Sequence, residues 1–142
     1  MQQDVKKAPL HHLITRRKPM IDPNAYAAAC PSRIVLDRVA DKWTVLLLGV
    51  LAKRPTRFNQ LRREIEGLSQ KVLSQTLKNL ERNGLVTRKA FATVPVTVEY
   101  SITPLGKTLA GQMEALLHWA EENVDQVLDA QRRYDEAAAS AL

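Results

Sequence analysis

Residues 69–84 read SQKVLSQTLKNLERNG, and the rest of the fold can be worked out from them. Valine and leucine recur there at spacings of three and four, which predicts a helix with one apolar face. Ser69 suits its N-cap, and Asn83-Gly84 suits its end, because glycine tolerates the left-handed conformation. A shorter apolar helical set comes before it and stops at Gly67. Two helices joined by a tight turn have the spacing of a helix-turn-helix.

The residues before this motif predict three more elements. Aliphatic side chains between Pro31 and Leu51 recur with helical periods and fit two helices that meet near Asp41. Pro31 suits a first helical position, where its missing N–H costs no hydrogen bond. Pro55 stops the second helix, so residues 56–58 have room only for a very short strand.

Two alternating segments and a long apolar stripe follow the motif. Residues 85–91 and 96–102 alternate apolar with polar side chains and are rich in β-branched and aromatic types, which predicts a two-stranded ribbon. Thr103-Pro104 is a second cap-and-proline start, and the stripe after it predicts a helix within residues 104–138. Such a helix is too long for one small core, so we expect its outer turns to pack on a second subunit.

Charge is distributed unevenly along the 142 residues, whose net charge is +6 with histidine neutral. Residues 1–106 hold 18 Lys and Arg against 8 Asp and Glu, whereas residues 107–142 hold 3 against 7. The basic block predicts an anionic partner, and the acidic end suits a helix for oligomerisation. Residues 1–24 show no apolar period, so we expect a basic, flexible extension before a single domain at residues 25–142.

Composition also disfavours several classes of protein. The longest apolar run, Val45–Ala52, has eight residues, whereas a membrane span needs about twenty. Cys30 is the only cysteine and cannot pair within its own chain, so we expect a cytoplasmic protein that does not contact a membrane. His11 and His12 point apart on any regular element, and we therefore expect no metal and no cofactor. With no resolving cysteine, phosphate loop or catalytic triad motif, we expect no enzyme.

Polar residues on the outer side of the helix at 69–83 are candidates for reading DNA. Gln and Asn can pair with adenine, Lys with guanine, and Ser with several bases, whereas the alternative is an ordinary solvated helix face. The adjacent turn and ribbon favour DNA. The base-reading candidates are Gln70, Lys71, Ser74, Gln75 and Lys78.

Candidates for phosphate contact lie on both sides of that helix. Phosphate contacts set the register and support affinity, while base contacts specify sequence. The candidates are Arg57, Asn59 and Arg62 at the start of the preceding helix, Arg88 and Lys89 on the first ribbon strand, and Thr93 and Thr97 near the ribbon tip. Arg62 has an alternative partner in Glu66, one helical turn further on.

Short motifs occur in order over roughly 90 residues, and together they resemble the HxlR-type family of bacterial winged-helix regulators. They are Cys30-Pro31, Asp41-Lys42-Trp43, RFNQL at 57–61, SQKVL at 69–73, LKNLERNGLV at 77–86, Pro95, and VEYSITPLG at 98–106. The resemblance implies a homodimeric transcription factor that binds double-stranded DNA and joins its subunits through terminal helices. The chain departs from the family pattern at Ser32-Arg33, where an acidic residue often follows Cys-Pro, and in its basic extension.

Cys30 is a candidate redox sensor. The positive end of a helix that starts at Pro31, together with Arg33, would favour the reactive thiolate, and the resemblance implies a sensing cysteine at this place. The lone thiol leaves three chemistries open: a disulfide between subunits, a mixed disulfide, or alkylation, so that oxidants, quinones and aldehydes are candidate reactants. The alternative is a small buried apolar side chain.

These observations combine into a fold class that is mainly α with a small β-ribbon, a winged helix-turn-helix with a long C-terminal dimerisation helix. They predict a sequence-specific transcriptional regulator that binds an inverted-repeat operator as a homodimer and responds to oxidants or electrophiles through Cys30. The alternative is a winged helix that contacts protein or RNA and senses no thiol chemistry, which the basic outer helix face disfavours.

Overall fold

Eight helices and strands follow one another in the computed structural model, which describes residues 22–141. They are α1 (Pro31–Val39), α2 (Lys42–Leu51), β1 (Thr56–Arg57), α3 (Phe58–Glu64), α4 (Gln70–Arg82), β2 (Val86–Phe91), β3 (Thr97–Ile102) and α5 (Pro104–Ser140). The backbone divides into two units between Asp37 and Arg38. Most of the predicted extension, residues 1–21, lies outside the described residues.

The first unit holds a turn and most of α1. The N–H of Cys30 donates to the carbonyl of Ala27 at 3.1 Å, and α1 begins at Pro31 as its missing N–H predicts. Three consecutive aliphatic residues of α1, Ile34, Val35 and Leu36, are each more than half exposed. These aliphatic side chains are therefore not buried among the residues that the structure describes.

The core of the second unit forms where α2, α3 and α4 meet. Asp41 caps α2 by accepting the N–H of Trp43 at 2.8 Å, and Ser69 caps α4 by accepting the N–H of Val72 at 3.1 Å. Gly84 has φ +75°, the conformation expected after the end of α4. The fully buried leucines are Leu47, Leu48, Leu51, Leu61, Leu73, Leu77 and Leu80. The predicted inner side of α4 is thus confirmed.

The sheet has three antiparallel strands in the order β1-β3-β2. Thr56 pairs with Tyr100 and Arg57 with Glu99, while β2 and β3 form the ribbon from Val86 to Ile102. The sequence predicted the short strand and the two-stranded ribbon separately, and the structure joins them into one sheet. The ribbon that projects beyond β1 is the wing.

The start of α5 is fixed to the base of the wing. The hydroxyl of Thr103 accepts the N–H of Gly106 at 3.0 Å and donates to the carbonyl of Gly84 at 2.6 Å, and the N–H of Thr103 donates to the carbonyl of Leu85 at 3.0 Å. A Cβ at position 106 would collide with the carbonyl oxygen of Leu85. Glycine therefore lets helix and strand approach closely at this point.

The helix α5 changes character along its 37 residues. Its first part packs on α2 and buries Ala110 and Met113, whereas Leu116, Trp119 and Leu128 further along are each more than half exposed. The apolar stripe predicted from the sequence is therefore buried in the core near the start of α5 and exposed further along it. No helix in the described range has the length and the apolar character that a membrane span requires.

Candidate nucleic-acid interface

A cleft of about 1070 Å³ opens between α3, α4 and the wing. Five cationic and two anionic side chains line it: Arg54, Arg57, Arg63, Lys78 and Arg88, with Glu81 and Glu99. The excess of positive charge in a concave surface concentrates field there and attracts a polyanion.

Six of the twelve predicted DNA contacts line this cleft. They are Arg57, Asn59, Ser74, Lys78, Arg88 and Thr97. They come from five separate elements, so the fold brings together side chains that lie up to forty positions apart in the sequence. The other six, Arg62, Gln70, Lys71, Gln75, Lys89 and Thr93, lie outside the cleft.

The outer side of α4 carries the base-reading candidates. Gln70, Lys71, Gln75 and Lys78 are exposed, and Ser74 is half-buried at the cleft. Because the leucines on the opposite side are buried in the core, α4 can turn only this polar side towards a ligand.

The structure separates Arg88 from Lys89, two neighbours that the sequence groups together. Side chains alternate along a strand, so Arg88 and Lys89 project from opposite faces of the sheet, and Arg88 pairs with buried Tyr100, which also lines the cleft. Lys89 lies opposite Glu99, with its Nζ 5.0 Å from the centre of the Phe91 ring. Only Arg88 of this pair lines the cleft.

Helix α3 contributes two cleft residues that sequence reasoning missed, Arg63 and Gln60. Arg63 donates to Oε1 of Gln60 at 2.7 Å, and Gln60 donates to Glu64 at 3.0 Å, which also pairs with Arg54. Arg63 and Gln60 line the cleft, whereas Arg62, which the sequence singled out, does not. Leu61 is buried, so the positions of Gln60 and Arg63 relative to it around the helix could have predicted which side chains face the cleft.

The alternative pairing considered for Arg62 is not formed. Within residues 22–141, Arg62 and Glu66 make no ion pair, and both side chains are exposed. Arg62 therefore keeps its charge available to solvent, on a side of α3 away from the cleft.

At the tip of the wing, the two predicted threonines bond to their own turn. The hydroxyl of Thr93 donates to the carbonyl of Pro95 at 2.8 Å and lies 3.3 Å from the hydroxyl of Thr97. Val94, between them, is fully exposed. The tip presents apolar rather than polar groups to its surroundings.

Cys30, in the first unit, is half-buried and its sulfur is hydrogen-bonded. The hydroxyl of Ser32 lies 3.0 Å from Sγ, and the N–H of Asn24 donates to Sγ at 3.3 Å. The Ser32 hydroxyl first, and then the Asn24 N–H, lower the pKa of the Cys30 thiol because they stabilise the thiolate. Arg33 adds to this through its backbone N–H.

The described residues hold no group of three or more His, Cys, Asp or Glu side chains arranged to bind a metal ion. His11 and His12 lie outside the described residues.

A helix-turn-helix whose second helix shows a polar face, followed by a β-ribbon beside a basic cleft, defines a winged helix-turn-helix protein. The family model described as HxlR-like helix-turn-helix matches residues 38–128. The chain belongs to this family.

Relatives and solved structures agree with this assignment. The uncharacterized HTH-type transcriptional regulator YtfH of Escherichia coli strain K12 is 46% identical over 105 residues, which cover 74% of this chain and 83% of the relative. The structure of the putative transcriptional regulator ytfH from Salmonella typhimurium superimposes with a TM-score of 0.74 at 45% identity, covering 79% and 99%. The redox regulator HypR, in its reduced form, gives a TM-score of 0.62 at 35% identity, covering 70% and 98%. The chain is therefore a transcriptional regulator of the winged-helix type, and these relatives are regulators rather than enzymes.

Proposed function

We propose that this regulator binds double-stranded DNA as a homodimer and recognises an inverted repeat. The observation that carries the proposal is the basic cleft, because it joins the polar side of α4 to cations on α3 and the wing. In this arrangement α4 enters the major groove, and the cations of the cleft hold the phosphates on either side.

Within the major groove, the exposed side of α4 supplies the base contacts. Lys71, Ser74, Gln75 and Lys78 offer donors and acceptors along about two turns of the helix, and Gln70 extends them at its start. Arg57, Asn59, Arg88 and Thr97 then contact the backbone, with Arg62, Lys89 and Thr93 as outer contacts.

The second subunit packs on the exposed part of α5. Trp119, Val124, Val127 and Leu128 leave apolar surface in solvent on a helix that continues to Ser140. A second copy of the same helix offers an apolar surface of the same kind. We infer a functional division in which residues 1–24 form a basic extension, residues 25–142 the DNA-binding domain, and residues 104–138 its dimerisation helix.

Selection of DNA from a random 40-base-pair pool tests this proposal. We expect the selected sites to be inverted repeats whose half-sites lie one helical turn apart, because two recognition helices of a dimer are spaced by about 34 Å. We also expect the affinity for the selected duplex to fall steeply as salt is raised. Selection of single half-sites, or an affinity independent of salt, would contradict the proposal.

A second function, oxidant or electrophile sensing, is favoured by the hydrogen bonds to Cys30. The redox regulator HypR is a structural neighbour, and in this chain Ser32 and Asn24 stabilise a thiolate. Hydrogen peroxide would oxidise the Cys30 thiolate to a sulfenic acid and leave hydroxide. The sulfenic acid then condenses with a second thiol, from another subunit or a small molecule, and releases water. Quinones and aldehydes would instead add to the sulfur.

The pH profile of alkylation tests the thiolate. Iodoacetamide reports on Cys30 alone, because the chain has no other cysteine. Since the pKa of Cys30 is lowered, we expect its reaction rate to level off at a lower pH than that of a free thiol. Ser32→Ala removes the leading hydrogen bond, raises the pKa and shifts the profile to higher pH, whereas Ser140→Ala leaves it unchanged.

Release from DNA then tests the function itself. We expect peroxide to dissociate the wild-type complex and to leave the Cys30→Ser complex bound. If both complexes dissociate alike, Cys30 is not the sensor.

A further inference from the structure

The wing tip, residues Thr93–Val96, carries no charge and exposes two valines. From Ala90 to Val98 the chain has no Lys, Arg, Asp or Glu. Val94 is 102% exposed and Val96 is 67% exposed. The most prominent part of the wing is therefore apolar, although the surface behind it is basic.

The polar atoms of the wing tip are used to hold its shape. The hydroxyl of Thr93 bonds to Pro95 and lies beside that of Thr97, and the N–H of Thr93 donates to the carbonyl of Phe91 at 2.8 Å. Since these bonds lie within the turn, the most exposed side chains of the wing tip are Val94 and Val96, and Val94 is the more exposed of the two.

The wing tip adjoins the basic cleft. Pro95 and Val96 line the same cleft as Lys78 and Arg88. The six-residue strands of the ribbon span about 20 Å, and half a turn of duplex, from one groove to the next, measures about 17 Å. The ribbon is therefore long enough to reach the neighbouring minor groove of a duplex that takes α4 in its major groove.

We propose that Val94, at the wing tip, disfavours G·C pairs in the minor groove beside each half-site by excluding the 2-amino group of guanine. This inference rests on the proposed function, since it needs α4 in the major groove. In the minor groove, A·T pairs show only acceptors, and G·C pairs add the guanine amino group. Apolar side chains are used in this groove by other DNA-binding proteins.

The chemistry of Val94 gives this selection its direction. A valine methyl offers no acceptor, so an amino group buried against it loses its hydrogen bonds to water without replacement. A cation would read a narrow A·T-rich groove by its negative potential, but the wing tip has no cation. Preference for A·T thus arises from shape and desolvation, and not from charge.

Inosine substitution in a selected duplex tests the exclusion. An inosine·cytosine pair presents the major-groove pattern of G·C but lacks the 2-amino group. At one or two flanking pairs of each half-site we expect A·T and inosine·cytosine to bind equally and G·C to bind about tenfold more weakly. Val94→Gly should abolish this difference. If inosine·cytosine behaves like G·C throughout the flanks, the inference is wrong.

A charge placed on the wing tip tests its position. Val94→Lys should steepen the dependence of log affinity on log salt by about 0.9 for each tip that reaches a phosphate. Gln126→Lys adds the same charge to the exposed surface of α5 and should leave the slope unchanged. Equal slopes for Val94→Lys and wild type would place the tip away from DNA. Thermal unfolding of each variant confirms folding, which the full exposure of Val94 favours.

Different results would contradict the proposed function and the role of the wing tip. A wild-type protein that binds no duplex from the random pool contradicts the proposed function. The other result is a protein that binds its selected duplex while substitutions of Val94 change neither the preference for flanking A·T pairs nor the salt dependence of affinity. That result contradicts only the role of the wing tip.

Discussion

Helix α4 and the distal half of α5 are both amphipathic, but they use their apolar sides differently. In α4 the apolar side packs in the core, where Leu73, Leu77 and Leu80 are buried, and the exposed side is polar and basic. In distal α5 the apolar residues Trp119 and Leu128 are themselves exposed, on a segment with an excess of acidic groups. The first helix leaves its polar side free for a ligand, whereas the apolar side of the second is not covered by any of residues 22–141.

Truncation of an apolar side chain should therefore lower the free energy of unfolding by different amounts in the two helices. Leu77→Ala opens a cavity in the core and should lower the free energy of unfolding by about 2–5 kcal/mol. Leu128→Ala shortens a side chain that is already exposed and should leave the unfolding of dilute, monomeric protein within about 0.5 kcal/mol of wild type. Urea titration at several protein concentrations measures both values. Similar losses for both variants at high dilution would remove the distinction.

A charge on the apolar side of distal α5 should separate the subunits. Val124→Glu with Leu128→Glu places two carboxylates where we expect apolar contact, and should yield a folded monomer in analytical ultracentrifugation. Because half-sites are then bound independently, operator affinity should fall about a hundredfold or more. Gln126→Glu, on the opposite side of the same helix, is the control and should stay dimeric. A dimeric double variant would show that the subunits meet elsewhere.

Neutral side chains in the basic cleft should weaken DNA binding without affecting assembly. Lys78→Ala and Arg88→Ala should each lower affinity about tenfold at moderate salt and reduce the salt slope by about 0.9 for each phosphate that is no longer neutralised. Lys107→Ala, on α5, should do neither. Fluorescence anisotropy across a salt series measures both effects, and an unchanged slope for Arg88→Ala would exclude it from the interface.

The smallest effect should come from Lys89. Its side chain lies on the sheet face away from Arg88, over the ring of Phe91. We expect Lys89→Ala to change affinity less than about threefold, which is typical of an outer charge screened by salt. A loss equal to that of Arg88→Ala would mean that DNA wraps both faces of the wing.

What the sequence predicted well is what local chemistry determines. The predicted caps Ser69 and Thr103 act within three residues of themselves, and the period of the leucines gives the inner side of α4 directly. The pairing of β1 with β3 joins segments about 43 positions apart through only two residue pairs, so no local sequence pattern predicts it.

In the candidate site, residue type alone did not predict which way neighbouring side chains project. Arg62 and Arg63 are adjacent and alike in composition, yet only Arg63 lines the cleft, and in the same way Arg88 lines it while Lys89 does not. The helical phase about Leu61 and the alternation along β2 carry this information, but residue type does not. The bond from Asn24 to Cys30 depends on a turn that the sequence did not predict.

The joint at Thr103 and Gly106 makes α5 a lever. Its 37 residues reach about 55 Å from a base that is bonded to the end of α4 and the start of the wing. Tilting such an arm by about 5° moves its far end by about 5 Å, close to one helical turn. In the proposed dimer, a movement at the far end of α5 would therefore shift α4, which lies near the base of this arm, through only a fraction of that distance. The length of α5 would thus convert large movements between subunits into small changes in the spacing of the two recognition helices.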